Sequence, residues 1–138
     1  MAPTARHAAS LLLAVLALAA GCQSSERYQG ESRTVATWQG RTLSAEVPDA
    51  VGVPGAHYAA VEALQARGYA VVADETTADR GYLAARGPDD TVMGGYRRVV
   101  VRTTLTPAAV GVKITLEPAG DEVAARAIFD DVLRRLGL

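Results

Sequence analysis

One thiol, two imidazoles and a scatter of carboxylates are the side chains in this sequence that could carry chemistry. The thiol, Cys22, stands at the seam where the apolar run LALAAG gives way to the polar QSSER. A lone cysteine has no disulfide partner in its own chain, so its chemistry is modification of the thiolate rather than cross-linking. Removing the residues ahead of it takes His7 away and leaves His57 as the single imidazole. A Ser-His-Asp site built on His57 would need a nucleophile on a sharp turn of the Gly-x-Ser-x-Gly kind, and no such run occurs. His57 therefore reads as a surface residue at the start of a helix. The pair Asp89–Asp90 lacks the alternating ligands of a calcium loop, and no Cys/His spacing suits zinc. Asp121 and Glu122 suit a helix cap and its first-turn acid better than an acid–base pair. Gly94–Gly95 stands in no phosphate-binding or dinucleotide fingerprint. These residues predict no catalytic group, no metal site and no cofactor.

What lies ahead of Cys22 explains the cysteine. MAPTARH carries Arg6, and residues 8–20, AASLLLAVLALAA, are thirteen apolar or small residues with one serine. As a helix they would span about 20 Å, short of the roughly 30 Å hydrocarbon core of a bilayer. They read as a secretion signal, not a membrane span. Ala19, Ala20 and Gly21 before Cys22 resemble the bacterial lipobox, with Leu18 one place earlier than the usual leucine. That resemblance implies diacylglyceryl transfer to the thiol and cleavage before Cys22. A single acyl chain binds a bilayer only marginally, at about 0.8 kcal/mol per methylene, whereas two or three hold firmly. Gln23 stands where lipoproteins retained in the inner membrane often carry Asp, so the implied address is the outer membrane, facing the periplasm, of a Gram-negative cell.

Loss of residues 1–21 takes one Arg and no acid, moving the formal charge of the chain from −1 to −2. The basic field of a nucleic-acid binder is missing. Residues 23–36, QSSERYQGESRTVA, show neither helical nor strand periodicity and predict a flexible tether with a reach of about 20 Å. The folded domain is then expected over residues 37–138.

Within that domain RTLSAEV (41–47) alternates as a half-buried strand, and VPDAVGVPG breaks the pattern. A helix is expected over 56–67, with Ala60, Val61 and Leu64 on one stripe and Gly68 ending it. Strands at 69–73 and 81–86 would flank the polar turn DETTADR. RRVVVRTTL and VGVKITLE form a hairpin through Thr106–Ala109. The last helix, 121–136, is capped by Asp121, buries Ala125, Ile128, Val132 and Leu136, and offers Asp130–Arg134 and Asp131–Arg135 as surface pairs. The order β-α-β-β-β-β-α predicts an α+β domain of two layers, an antiparallel sheet of four to five strands with both helices on one face.

The stretch AVEALQARGYAVVADETTADRGYLAAR, and the ending in which an alternating strand leads through Gly120, Asp121 and Glu122 into an amphipathic helix, resemble a class of small bacterial lipoproteins with an uncharacterised α+β domain. The likeness covers residues 38–138 and implies fold and location but no reaction. Partner contact is expected at Val92, Met93 and Tyr96, in a connection longer than a hairpin needs, and at Trp38. The function these readings support is a non-catalytic interaction or structural module, bound to the membrane through acylated Cys22 and to another envelope protein. Two alternatives stand beside it: a lipoprotein holding a small apolar or cell-wall-derived ligand between sheet and helices, and a hydrolase.

Overall fold

A computed structural model describes residues 24–88 and 97–138. Seven strands form one antiparallel sheet: β1 (Ser25–Gln29), β2 (Thr34–Gln39), β3 (Thr42–Pro48), β4 (Ala70–Thr76), β5 (Arg80–Arg86), β6 (Arg98–Leu105) and β7 (Ala109–Glu117), in the spatial order β1-β2-β3-β7-β6-β5-β4. Two helices, α1 (Gly52–Ala66) and α2 (Glu122–Leu136), pack on one face. The α+β class and the single-sided helix layer agree with the sequence reading. The strand count does not: there are seven rather than four to five.

The two additional strands come from the segment expected to be a tether. β1 and β2 form a hairpin, with Ser25 opposite Trp38 and Gln29 opposite Thr34. β2 then continues the sheet onto β3. The strand signal failed in β1 because its helix-facing residues are Ser25, Arg27 and Gln29, polar groups rather than apolar ones buried in a core, and Ser25 and Gln29 are satisfied by polar partners on α2. Gln29 is 7% exposed and its Nε2 donates to the Arg126 carbonyl and to Asp130 Oδ1, each at 2.9 Å.

Arg126 is the centre of this junction. Its guanidinium is buried and has five N–H donors. Nε meets Glu122 Oε1 at 2.8 Å, Nη1 meets Gln29 Oε1 at 3.0 Å and the Ala36 carbonyl at 3.3 Å, and Nη2 meets the carbonyl and hydroxyl of Ser25, both at 3.1 Å. The Ser25 hydroxyl in turn donates to Glu122. That hydroxyl, followed by the guanidinium, holds the Glu122 carboxyl below the usual glutamate range. A carboxyl so lowered contributes fully above its unfolded-state pKa, and the contribution is lost as pH falls through the lower folded value. The junction therefore weakens only in acid.

α1 starts four residues earlier than the sequence predicts. Pro54 falls in its first turn, where a missing N–H breaks no intrahelical bond. At the other end the N–H of Tyr69 reaches the Leu64 carbonyl at 3.0 Å, with Gly68 left-handed at φ 79°, as the sequence implies. α2 is capped as expected, Asp121 Oδ1 accepting from the Ala124 N–H at 2.9 Å. The helices run antiparallel, since Arg67 meets Asp131 at 2.6 Å while Arg135 meets Glu62 at 3.7 Å. Those contacts replace the anticipated pairs along α2: Asp130 accepts from Gln29, and Asp131 is shared between Arg67 and Arg134. Burial raises the Asp131 pKa, but the hydrogen bond and charge of Arg67, with Arg134, outweigh it, so the net shift is downward.

The core is one cluster of Val, Leu, Ile, Ala and Phe129 between sheet and helices, with Leu43, Leu83, Val101, Ile114, Ile128 and Phe129 essentially inaccessible. Ala36 on β2 belongs to it. A chain of residues 24–138 should melt cooperatively, whereas residues 37–138 lose β1, half of β2 and every acceptor that β1 gives Arg126. Each buried polar group left unpaired costs about 1–3 kcal/mol, so the shorter chain should melt many degrees lower or not cooperatively, as circular dichroism would show. Equal melting of the two chains would contradict the junction's role.

Candidate functional site

His57 is not a surface residue. It lies in the second turn of α1, 1% exposed, with Nε2 at 2.6 Å from Asp74 Oδ1. Asp74 reaches it because β4 runs on through Thr76, past the point where the sequence suggested a polar turn. A shift of register between Val71 and Ala73 sets Asp74 opposite Leu83, on the helix side of the sheet. The small residues Ala56, Ala59, Ala60 and Ala63, all buried, let α1 lie low enough for the imidazole to reach the strands.

Gly81 makes room for it. A Cβ there would stand 2.6 Å from His57 Nδ1 and 2.4 Å from Thr103 Oγ1, so these two atoms share the space above the glycine. Neither has a hydrogen-bond partner in the structure. Carboxylate, imidazole and hydroxyl thus stand in sequence, the residue types of acid-assisted nucleophilic catalysis. Accessibility argues against that use of this arrangement: Thr103 is 1% exposed, so a substrate carbonyl has no approach to its hydroxyl. What the geometry does accomplish is to fasten α1 to β4 and β5. Among the described residues no three His, Cys, Asp or Glu side chains gather as a metal site, and no helix is long and apolar enough to cross a membrane.

The opposite, helix-free face of the sheet carries a second constellation, which follows from register. Glu75, Tyr82, Arg102, Lys113, Ser44 and Thr37 are successive partners across β4, β5, β6, β7, β3 and β2, and they alternate with core residues, so all point away from the helices. Arg102 and Lys113 are directly opposite one another near the middle of that row. Both are exposed, and neither makes an ion pair among the described residues. Like charges directly opposite on paired strands destabilise a sheet. The Arg102 guanidinium lies over the Tyr82 ring, 5.3 Å from its centroid, and Arg98 Nη2 donates to the Tyr82 hydroxyl at 3.0 Å.

Two grooves open beside this pair of cations. One of about 660 Å³ is lined by Glu75, Thr77, Arg80, Tyr82, Arg102 and Thr104, and one of about 760 Å³ by residues that include Thr37, Ser44, Glu46, Gly111 and Lys113. Asp74, Gly81 and Thr103, which face the helices, also line the first groove, the second lies mainly along the helix-free face, and no helix residue borders either, unlike the space between sheet and helices where a small ligand was envisaged. That space is filled by the core.

Of the residues singled out in the sequence, Cys22, Val92, Met93 and Tyr96 lie outside the described residues. Trp38 is on β2, half-buried, and packs against the core. Its strand lies away from β5, which carries Tyr82, in the strand order. The row through Tyr82, Arg102 and Lys113 was missed because each strand by itself shows only an ordinary polar face; the cations become neighbours through strand pairing. Comparison with protein-family models finds none that matches the chain, and the curated proteins include no match.

The Gly81 contact gives a direct test of the buried pair. Gly81→Ala should destabilise the domain by about 1–3 kcal/mol through overpacking. In a His57→Ala, Thr103→Ala background, which removes both close approaches, the same change should be considerably milder, giving a coupling energy in a thermodynamic cycle followed by urea unfolding. An equal penalty in both backgrounds would contradict the contact.

Proposed function

We propose that this chain is a lipid-anchored, non-catalytic module of the bacterial cell envelope, of the small-lipoprotein kind its sequence resembles. Acylated Cys22 holds it at the outer membrane, facing the periplasm, and it works by docking an acidic surface of another envelope protein on its helix-free sheet face. The single observation that carries the docking reading is the pair Arg102–Lys113. Two cations set opposite each other in mid-sheet, without carboxylate partners among the described residues, work against folding stability, and an anionic partner turns that repulsion into attraction. Complementary charge of this sort steers association and sets specificity more than it adds affinity.

A second reading, a small cell-wall-derived ligand, is favoured by the groove beside Tyr82. Its lining of hydroxyls, two guanidinium groups, two carboxylates and one aromatic ring suits a polar sugar rather than an apolar molecule. In this reading the ligand sits on the sheet surface, not within the core.

Two arms of one experiment test the proposal. Cys22→Ser should leave the protein in the soluble periplasmic fraction or as an uncleaved precursor; normal processing with retention at the membrane at high salt contradicts the anchor. A photo-crosslinking residue at Thr37 or Thr104 should give adducts in cells that the double variant Arg102→Gln, Lys113→Gln reduces several-fold, consistent with about 0.2–1 kcal/mol for each exposed ion pair. The same double variant should change stability little, because the repulsion it removes is offset by the loss of the Arg102–Tyr82 cation–π contact. Adducts formed only from the helix side, for instance at Gln65, would contradict the docking face.

A further inference from the structure

We infer that in the acylated protein the end of the sheet where β1 begins rests directly on the bilayer, with lipid headgroups as its partner. This depends on the anchor reading of Cys22 and goes beyond it, since anchoring alone would allow the domain to float well clear of the membrane.

The argument is one of chain length. Gln23 and Ser24 are the only residues between Cys22 and the start of β1. Three steps along the chain at about 3.3–3.6 Å each hold the Cα of Cys22 within about 11 Å of the Cα of Ser25. Ser25 cannot swing to lengthen this leash. Its carbonyl and hydroxyl are gripped by Arg126, its hydroxyl also by Glu122, and β1 is paired along its length to β2. The acylated residue is thus attached to a rigid body by a linker far shorter than the 20 Å reach of a flexible residue 23–36 segment.

The chemistry of that end agrees. Ser25 adjoins the first turn of α2 through Glu122, and the next residue, Val123, is 81% exposed, more than any other large hydrophobic side chain described. The turn before α2 exposes Pro118 and Ala119. Trp38 stands directly across from Ser25 on β2, and its ring comes so close to this turn that a Cβ on Gly120 would lie 3.0 Å from Cζ2. A tryptophan ring beside small and apolar residues suits the membrane–water boundary. No charged patch is required, because the covalent anchor supplies the attraction.

Trp38 is the sole tryptophan of the chain, so its fluorescence reports on this end alone. The acylated full-length mature protein is reconstituted into phosphatidylethanolamine–phosphatidylglycerol vesicles carrying a nitroxide on the headgroups, and flotation establishes how much is bound. Emission of the bound protein should be strongly quenched. Inserting about twenty Gly/Ser residues between Gln23 and Ser24, with an r.m.s. reach of about 25 Å, should leave flotation unchanged and relieve most of the quenching. Bound wild-type protein quenched no more than the insertion variant would overturn the apposition while leaving the anchor intact. Failure of the mature protein to float would overturn the anchor and the apposition with it.

Discussion

The burial of one guanidinium governs how this chain is put together. Arg126 projects from α2 into the angle between that helix and the first hairpin, and all five of its donors find acceptors there, on Glu122, Gln29, Ala36 and Ser25. A buried arginine with any of these missing would carry an uncompensated desolvation penalty. The constraint therefore acts in both directions. β1 is held against α2 because it supplies the acceptors, and α2 can bury Arg126 because β1 is present.

The consequences run to both ends of the domain. At one end the clasp fixes Ser25 and, through it, the distance between the folded body and the cysteine that carries the anchor. At the other, the turn after β1 lies under α2: a Cβ on Gly30 would stand 2.8 Å from Leu133 Cδ1 and 3.0 Å from the Leu138 carbonyl. The first hairpin is thus clamped against α2 at both ends of β1, which makes it an integral edge of the sheet. With both helices committed to one side, the other side is left to polar rows, and there the pairing of β6 with β7 sets Arg102 beside Lys113. The polar clasp and the Arg102–Lys113 pair are products of the same one-sided layering.

The sequence was informative where one residue type answers to one physical need. The β6–β7 hairpin shows itself as two alternating runs joined by a short connection, Asp121 as a cap, and Gly68 as the left-handed end of α1. It was uninformative where the need is met from a distance. β1 has no apolar stripe because its inward side faces Arg126 and α2 polar groups almost a hundred residues later. Asp74 looks like part of a turn because nothing local reveals that a buried imidazole awaits it. His57 likewise looks exposed until Gly81 and the small residues of α1 are seen to admit it. The cation pair on the helix-free face was invisible for the same reason, since Arg102 and Lys113 are neighbours only across strands.

Native-state amide hydrogen exchange over residues 25–39 tests the Arg126 clasp most directly. If β1 is an integral strand, its hydrogen-bonded amides open only with β2 and α2, showing protection comparable to theirs, and Arg126→Ala releases β1 to fast exchange while β6 and β7 stay protected. Amides of residues 25–29 that exchange at the rate of an unstructured chain in the wild-type protein, beside a protected β3, would contradict it.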